Sequence, residues 1–442
     1  MDDKPTKVPS RAKTVGQTPP TKWQWVEPGV WTERMLEALE RGVKGGKWFS
    51  LIDKVYREEN LQSAWRKVEQ NQGAAGVDQQ SLEDYSRHLE SNLKRLSKKL
   101  KDKNYRPQEV RRTWIPKPGR AEKRPLGIPT VEDRIVQTAI KQVIEPIFEH
   151  DFAQHSYGFR PERGCKDALR QVDRLIRQDY EWVVDADIKS YFDQIDHGKL
   201  MELVCEKISD GRVLDLIEQF LKQPIVEDGD TRQPERGTPQ GGVISPLLAN
   251  IYLNPLDHLM AEQGFEMVRY ADDFVIVCKD RKDARRALQQ VERWVEQMGL
   301  TLHPDKTHIV KAHSDEGFEF LGYHFRKGYR FPRDKAIKAL KEKLRRKTRR
   351  VDGRSLQTII EDVNLSTQGW FEYFKHSTWS PLRRLDQWLR QRLRAILRRR
   401  SGRRGIPTKL DNKRWTNDFF RNAGLFSMVA ARRAIIQSLR GG

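Results

Sequence analysis

The chain has 442 residues, a formal net charge of +21 and a pI near 9.8. So basic a balance favours a polyanionic partner, most often nucleic acid and less often a membrane surface. No stretch approaches the roughly 20 apolar residues that cross a bilayer, the first twenty residues are polar and Pro-rich without a signal-peptide core, and the three cysteines form no CxxC pair. We therefore expect a soluble protein of the bacterial cytoplasm or nucleoid, with no membrane partner and no Cys-based zinc site.

Residues 1–50 are predicted to be a partly disordered N-terminal extension. Residues 1–22 are polar and Pro-rich, a composition that favours disorder. A Trp-rich segment and an amphipathic helix ending at Gly42 follow. No role for this extension emerges from the sequence.

The next hundred residues alternate between helical and extended patterns. Residues 51–105 predict helices interrupted at NQGAAGVD (71–78). Residues 114–130 are too rich in Pro and Gly for a helix and predict two strands joined by a flexible turn. Helical spacing returns over 130–149.

The middle third carries the acidic residues that suggest chemistry. Asp185 and Asp187 alternate in an apolar, β-branched run, so a strand would place both on one face. Asp272 and Asp273 lie between two apolar runs, as in the turn of a β-hairpin. Either segment alone is explained equally well by ordinary strand-end acids.

Adjacent strands would bring three or four of these carboxylates together. Such a cluster is unstable without a cation, because like charges repel strongly in a partly dry site. Mg²⁺ suits it, as a hard ion that binds oxygen ligands and substrate phosphates. Two Mg²⁺ ions about 3.5–4 Å apart would activate a 3′-hydroxyl and stabilise a leaving pyrophosphate.

Much of the positive charge lies in residues 331–400, which hold 20 Lys and Arg against 7 Asp and Glu. Apolar residues recur at helical spacing among the cations of 338–350 and 389–400. Solvated helix faces would explain this pattern, but so dense a block of one sign repels itself unless an anion neutralises it. The aromatic residues of GWFEYF (369–374) are predicted to pack between helices rather than to stack on bases. The candidate nucleic-acid-binding residues are Arg345, Arg346, Lys347, Arg349, Arg350, Arg398, Arg399 and Arg400.

Taken together, these segments resemble the ordered sequence blocks of the reverse transcriptase/maturases encoded by group II introns. YADD (270–273) resembles the metal-binding turn of that family, and DIKSYF (187–192) the block that holds its first metal-binding aspartate. RGTPQGGVISPLLANIYL (236–253) is the most specific match. The resemblance runs in unbroken order from about residue 51 to 330 and continues more loosely to the end. No Cys/His endonuclease segment is recognisable, so a member lacking that domain is expected.

The resemblance implies an α+β fold shaped as a right hand. The fingers, with an N-terminal RNA-binding extension, would occupy 51–180. The palm, an antiparallel sheet flanked by helices, would occupy 181–330. An α-helical thumb/maturase domain would follow over 331–402, and 403–442 is similar to the segment assigned to DNA contact in relatives.

The resemblance also implies roles at the metal site. Asp187 would be a metal ligand in preference to Asp185, because only Asp187 has an aromatic residue at the expected spacing of five; strand geometry alone leaves Asp185 open. Asp272 would be the second shared ligand, Asp273 a supporting or 3′-end-positioning carboxylate, and Ile188 a ligand through its backbone carbonyl.

The same resemblance implies how the nucleotide is held. Phe192 would lie against the sugar and exclude a 2′-hydroxyl, while Gln240 and Gly241 would line the nucleotide pocket; Phe192 as a core aromatic is the alternative. Lys306 would protonate the pyrophosphate as a general acid, although a surface lysine is nearly as good an interpretation. The predicted triphosphate contacts are Lys117 and Arg124.

The expected activity is RNA-directed DNA polymerisation with two Mg²⁺ ions and dNTPs, on an RNA template with a DNA primer. Group II intron RNA and target DNA are the expected partners, and the protein would assist splicing and mobility of the intron. Two alternatives stay open: a splicing maturase that has lost polymerase activity, and a domesticated reverse transcriptase in defence, repair or CRISPR spacer acquisition. The oligomeric state is not predicted.

Overall fold

The computed structural model describes residues 21–43, 45–116 and 123–438. Lys117 lies outside the described residues, and so does the predicted disorder of residues 1–20. Thr21–Trp23 form a short 3₁₀ helix, so residues 21 and 22 are helical although disorder was predicted for them.

The fingers are built from helices around one buried helix, with a small sheet at their edge. The elements are α1 (Glu33–Arg41), α2 (Ile52–Val55), α3 (Glu58–Asn71), α4 (Leu82–Ser86), α5 (Leu89–Lys101), β1 (Val110–Pro116), β2 (Lys123–Ile128) and α6 (Val131–Asp151). Helix α6 starts at Thr130, whose side chain accepts a hydrogen bond from the Asp133 amide, an N-cap that stabilises its first turn. The predicted pair of strands and the helix after it are confirmed.

The N-terminal Trp-rich segment packs onto this buried helix. Trp23 and Trp31 are almost fully buried, and the indole of Trp31 donates a hydrogen bond to the Gln142 carbonyl (3.2 Å). The indole of Trp23 donates to Glu40 (2.7 Å) at the end of α1. The extension therefore braces α6, a role that its sequence alone did not reveal.

The palm contains the sheet that carries the acidic residues. Its elements are α7 (Cys165–Arg177), β3 (Trp182–Asp187), α8 (Tyr191–Gln194), α9 (His197–Lys207), α10 (Gly211–Leu221), β4 (Ile225–Glu227), β5 (Asp230–Arg232), α11 (Ser245–Glu262), β6 (Glu266–Tyr270), β7 (Asp273–Cys278), α12 (Arg281–Gln297) and β8 (His308–Lys311). The central sheet has the order β6-β7-β3-β8 with antiparallel neighbours, while β4 and β5 join β1 and β2 in the fingers sheet.

Both faces of the central sheet are covered, because its strands are apolar on both sides. Val184 packs into the core beneath α11 and α12, whereas Val183 packs against α7 on the opposite face. Asp185 and Asp187 share the face of Val183. The acidic end of the sheet is thus held rigidly from two sides.

A second, three-stranded antiparallel sheet joins the palm to the thumb. It consists of β9 (Phe318–Phe320), β10 (Tyr323–Arg326) and β11 (Tyr329–Pro332). Phe318 and Phe325 stack with ring centroids 4.8 Å apart, which ties its first two strands together.

From residue 334 to residue 438, the described chain contains helices and their connections and no strand. Its helices are α13 (Asp334–Lys347), α14 (Leu356–Phe374), α15 (Trp379–Arg400), α16 (Lys409–Arg414), α17 (Asn417–Asn422) and α18 (Met428–Ser438). The predicted apolar stripes face inward, with Leu340 and Leu389 buried in one core. Phe371 packs in the core between these helices, as predicted for the aromatics of 369–374, whereas Phe374 packs against the β9–β11 sheet. Among the described helices none combines the length and apolarity needed to cross a bilayer, and the α+β architecture matches the prediction.

Candidate active site

The acidic residues of two strands meet at one end of the central sheet. Strands β3 and β7 pair antiparallel with Asp187 opposite Asp273. Strands β6 and β7 pair with Tyr270 opposite Asp273, so Ala271 and Asp272 form the tight turn between them. The register therefore brings Asp187, Asp272 and Asp273 together, as the sequence predicted.

The three carboxylates repel one another in a poorly solvated place. Burial, together with the charges of Asp185, Asp272 and Asp187, raises the pKa of Asp273 to about 7. Burial also raises the pKa of Asp272, with a contribution from Asp187. A site that disfavours its own negative charge in this way has a strong affinity for a cation.

The geometry favours Asp187 over Asp185 as the metal ligand. Asp185 lies one pleat deeper, opposite His308 of β8, and its Oδ2 is 3.8 Å from the His308 Nε2. Burial, with a smaller contribution from the charge of Glu319, raises the pKa of Asp185 to about 7. Asp187 instead is the last residue of its strand, opposite Asp273, at the open end of the central sheet.

The donor set fits a divalent cation that shares its ligands with substrate. In the described residues, no group of three His, Cys, Asp or Glu side chains could hold an ion unaided. Mg²⁺ in proteins is usually bound by one or two carboxylates together with substrate phosphates and water. Asp187 and Asp272 supply two carboxylates. The Asp187 carbonyl and the Lys189 amide, on either side of Ile188, form hydrogen bonds to the segment around Leu302. The Ile188 carbonyl takes no part in that pairing.

Lys306 lies at this cluster rather than on a distant surface. Its Nζ is 2.5 Å from the Asp187 Oδ2. The ammonium therefore partly offsets the carboxylate charge and stands within reach of any phosphate bound there. The contact agrees with the predicted placement of Lys306.

A buried ion pair holds the acidic turn from below. Arg269 is fully buried and binds Asp257 through Nε (2.8 Å) and Nη2, while its Nη1 donates to Asn250 (2.9 Å). The same Nη1 donates to the carbonyl of Ala271 (2.9 Å), inside the turn. Sequence reasoning missed this support, although one arginine in the otherwise apolar run MVRY was a signal for a buried partner.

A glycine permits close packing against the same turn. A Cβ built on Gly158 would lie 2.2 Å from the Ala271 amide nitrogen, a distance that real side chains do not reach. The Gly158 carbonyl accepts a hydrogen bond from Asn250 (2.7 Å), which fixes the loop in that position. The backbone of Gly158 thus forms part of the wall behind the turn.

We expect Gly158→Ala to reduce polymerisation by about a hundredfold, because an ångström-scale displacement of a catalytic group has that order of effect. Single-turnover primer extension measures the loss. Gly164→Ala is the matched control, since a Cβ there would meet only the Asp167 carboxylate at 3.8 Å. Equal rates for the two variants would contradict the role of Gly158.

The nucleotide-binding candidates form a connected group where fingers and palm meet. The Arg124 Nε donates to the Gln240 Oε1 (3.0 Å), and the Gln240 Nε2 donates to Asp193 (3.2 Å). Gly241 has φ +117°, and a Cβ there would lie 2.2 Å from the Gly127 carbonyl, so only glycine allows this approach. A cavity of about 260 Å³ beside Gln240 is lined by residues of both subdomains. The structure brings Arg124, Gln240 and Gly241 together as predicted.

Phe192 lies between the end of β3 and this loop. Its ring packs edge-on against Tyr191 at 5.5 Å, and its carbonyl accepts a hydrogen bond from the Thr238 amide (2.8 Å). Tyr191 is itself anchored through its hydroxyl to the Ala249 carbonyl (2.6 Å). The half-buried Phe192 ring is therefore packed against the core and Tyr191, in the short helix α8 that follows β3.

The predicted nucleic-acid-binding cations divide into two groups. Three of them bind groups within the helical domain: Lys347 pairs with Asp362, Arg398 with the buried Asp411 (2.6 Å), and Arg400 donates to the Asp352 carbonyl (3.2 Å). Their first role is to hold the helices together. The other five are exposed: Arg345, Arg346, Arg349, Arg350 and Arg399. Nucleic-acid binding by all eight stays a prediction.

Comparison with known proteins matches two successive parts of the chain. Residues 115–325 match the family described as reverse transcriptase (RNA-dependent DNA polymerase). Residues 337–415 match the family described as the group II intron, maturase-specific domain. The first match contains every acidic residue of the site and the second covers most of the helical domain.

Individual relatives agree with these matches. Protein YkfC of Escherichia coli K12 is 35% identical over 314 residues, which are 62% of this chain and 82% of that protein. The group II intron-encoded protein LtrA of Lactococcus lactis is 32% identical over 60% of this chain, an alignment that spans only 54% of LtrA. Among solved structures, a partial Cas6-RT-Cas1–Cas2 complex is 27% identical over 56% of this chain and 41% of its own, with a TM-score of 0.36.

Proposed function

Because this chain belongs to the reverse transcriptases encoded by group II introns, we propose that it copies intron RNA into DNA with two Mg²⁺ ions and assists the splicing and mobility of that intron. The chain carries the two matching parts, a reverse transcriptase domain and a maturase-specific domain. One observation carries the polymerase proposal: the antiparallel register brings Asp187, Asp272 and Asp273 together at one end of the palm sheet. Divalent-metal-dependent nucleotidyl transfer is the chemistry of the matched domain, and Mg²⁺ is the ion we propose for it.

The residues of the site divide the work of nucleotide addition. Asp187, Asp272 and the Ile188 carbonyl would hold the metal ions, which when bound lower the pKa of the primer hydroxyl and neutralise the triphosphate. Asp273 lies beside both ligands and would position the primer end. Arg124 and Lys117, the latter outside the described residues, would hold the triphosphate from the fingers. Lys306, at 2.5 Å from Asp187, would donate the proton to the departing pyrophosphate.

The ring of Phe192 would select deoxyribonucleotides. Its backbone is tied to Thr238 and its ring is packed on Tyr191, so the ring is not free to move aside for a 2′-hydroxyl. We expect Phe192→Val to raise ribonucleotide incorporation relative to deoxyribonucleotide incorporation by about 10- to 100-fold, the scale of a small steric change in a pocket. Competing dNTP and rNTP in primer extension measures the ratio.

Tyr180→Val is the control for that experiment, because Tyr180 lies before β3 and away from the acidic edge. The Tyr180 variant should discriminate between dNTP and rNTP as well as the wild type does. Unchanged discrimination in the Phe192 variant would show that the ring is a core aromatic and nothing more.

The helical domain would bind the intron RNA. Its exposed arginines suit A-form RNA, which proteins recognise mostly through shape and sugar–phosphate contacts. Such binding should weaken steeply with salt. We further propose that residues 403–442 contact target DNA.

Primer extension on an RNA template, with Mg²⁺ and dNTPs, tests the proposal directly. Extension by the wild type would support an active polymerase. Tight binding of structured intron RNA without any extension would favour the splicing maturase instead. Asp187, Asp272 and Asp273 lie together and Lys306 contacts Asp187, and this arrangement supports the active enzyme.

A further inference from the structure

One aromatic residue near the acidic turn combines an unusual backbone conformation with an exposed side chain. Phe159 has φ +57°, in the left-handed region, and it is the only aromatic residue with a positive φ in the part of the chain that the structure describes. Bulky side chains rarely adopt this conformation, because their Cβ crowds the following carbonyl oxygen. Strained residues persist where the surrounding structure holds them, and they collect at functional sites.

The residues on both sides of Phe159 are buried and hold it in this conformation. Gly158 packs against the acidic turn, as described above. The Arg160 side chain is buried, binds the Glu149 carboxylate (2.9 Å) and donates a hydrogen bond to the Ser156 carbonyl (2.7 Å). Because its two neighbours are fixed in this way, the backbone of Phe159 directs its ring outward, and 47% of the residue is exposed.

The exposed ring lies beside the hairpin that carries the acidic turn. Its centroid is 6.4 Å from that of the Tyr270 ring. Tyr270 pairs with Asp273 and directly precedes Ala271 and Asp272, the two residues of the turn. Phe159 therefore extends the partly buried aromatic surface of Tyr270 out to solvent at the start of the turn.

A ring exposed at this place is suited to contact with a nucleotide. Aromatic side chains bind the bases of nucleic acids with little regard to sequence, because every base has a π-face. A primer whose 3′-hydroxyl reaches the proposed metal ions must have its last nucleotide against the turn of Ala271 and Asp272. Gly158 touches the Ala271 amide, and Phe159 is the next residue along the chain.

We propose that the Phe159 ring, beside Tyr270, binds the base of the last primer nucleotide and so holds the primer end at the acidic turn. The inference rests on the proposed function, which supplies the RNA template and the DNA primer. The minor groove of an A-form duplex is wide and shallow and displays base edges and sugars, so a ring on the palm surface can reach the terminal base pair. The strained backbone of Phe159 is retained because it positions that ring.

Phe159→Asn tests the proposal, because asparagine adopts the left-handed conformation more readily than phenylalanine and lacks the ring. Affinity for an RNA template with a DNA primer is measured by fluorescence anisotropy, with Mg²⁺ and without dNTPs. We expect binding about tenfold weaker, with a midpoint of thermal unfolding equal to that of the wild type or higher. Phe159→Tyr should retain the wild-type affinity. Phe49→Asn is the control, since Phe49 is an exposed aromatic residue in the segment before α2.

An abasic nucleotide at the 3′ end of the primer locates the contact. Removal of that base should cost the wild type about tenfold more affinity than it costs Phe159→Asn, because the variant has already lost the contact. An abasic nucleotide about ten positions upstream should weaken binding by the wild type and by Phe159→Asn equally.

Each outcome decides a separate point. Equal affinities of the wild type and Phe159→Asn would overturn the proposal. A lower unfolding midpoint for Phe159→Asn, with the same loss for an abasic primer end in both proteins, would make Phe159 a structural residue only. If the larger wild-type loss appears only with an abasic nucleotide in the opposite template strand, the primer assignment is wrong. If it appears at the primer end while the wild type fails to extend primers, the polymerase proposal fails and the contact stands.

Discussion

Asp272→Asn should lower the rate of nucleotide addition by about a thousandfold or more. The substitution removes one of the two carboxylates that we propose as ligands of the catalytic cations, while keeping the size of the side chain. Metal ions supply several kcal/mol of transition-state stabilisation, and each 1.36 kcal/mol corresponds to a factor of ten in rate. Single-turnover extension of a primer on an RNA template, with saturating Mg²⁺ and dNTPs, measures the effect.

The same substitution should not destabilise the fold. Burial and the charge of Asp187 raise the pKa of Asp272, which shows that the folded protein disfavours its ionised form. Removing that charge should leave the free energy of unfolding in EDTA equal to that of the wild type or greater. A loss of activity with retained or increased stability is the signature of a functional residue.

Asp179→Asn provides the comparison for this experiment. Asp179 is exposed in the turn before β3, with φ +63°, a conformation that asparagine adopts as readily as aspartate. Its variant should extend primers at the wild-type rate. If Asp272→Asn extends primers within tenfold of that rate, Asp272 is not a metal ligand.

Breaking the buried pair of Arg269 and Asp257 should have the second largest effect. Arg269→Met leaves the Asp257 carboxylate buried and uncompensated, and we expect a loss of about 3–5 kcal/mol in the free energy of unfolding. Asp257→Leu should lower the free energy of unfolding by a similar amount, because it leaves the Arg269 guanidinium buried without its carboxylate partner. Chemical denaturation of each variant measures the loss. The control is Arg87→Met, which breaks an exposed pair with Glu83 and should lose only a small fraction of that free energy.

The double variant separates stability from catalysis. Arg269→Met with Asp257→Leu replaces a buried ion pair by apolar groups, an exchange that is often neutral or stabilising. Yet the Ala271 carbonyl still loses the donor that holds the acidic turn at 2.9 Å. We therefore expect restored stability and primer extension still about a hundredfold below wild type. A double variant as active as the wild type would show that the pair serves folding alone.

Local patterns in the sequence were sufficient for the elements that carry the site. The alternation around Asp187 and the paired apolar runs around Asp272 predicted β3 and the β6–β7 hairpin, and both are present. The apolar spacing in the basic region predicted α13 and α15 with their inward faces. These predictions succeed because the period of a strand or helix is a property of neighbouring residues.

The assignment of partners required the tertiary structure. Asp185 and Asp187 are indistinguishable by alternation, and only the pairing of β3 with β7 and β8 places Asp187 at the open edge and Asp185 beside His308. Likewise, Lys347 and Arg398 belong to the same basic block as Arg349 but are bound to Asp362 and Asp411. A charge count cannot distinguish a cation that faces solvent from one that faces an acid on another helix.

By itself, the sequence determined the family, the strands that carry the acidic residues, and the identity of those residues, because motif order and periodicity are properties of the chain itself. Only the tertiary structure decided what supports them: Arg269 and Gly158 behind the acidic turn. Those contacts join residues that are far apart in sequence or lie on different elements. Their existence depends on strand register and helix packing, which no local pattern encodes.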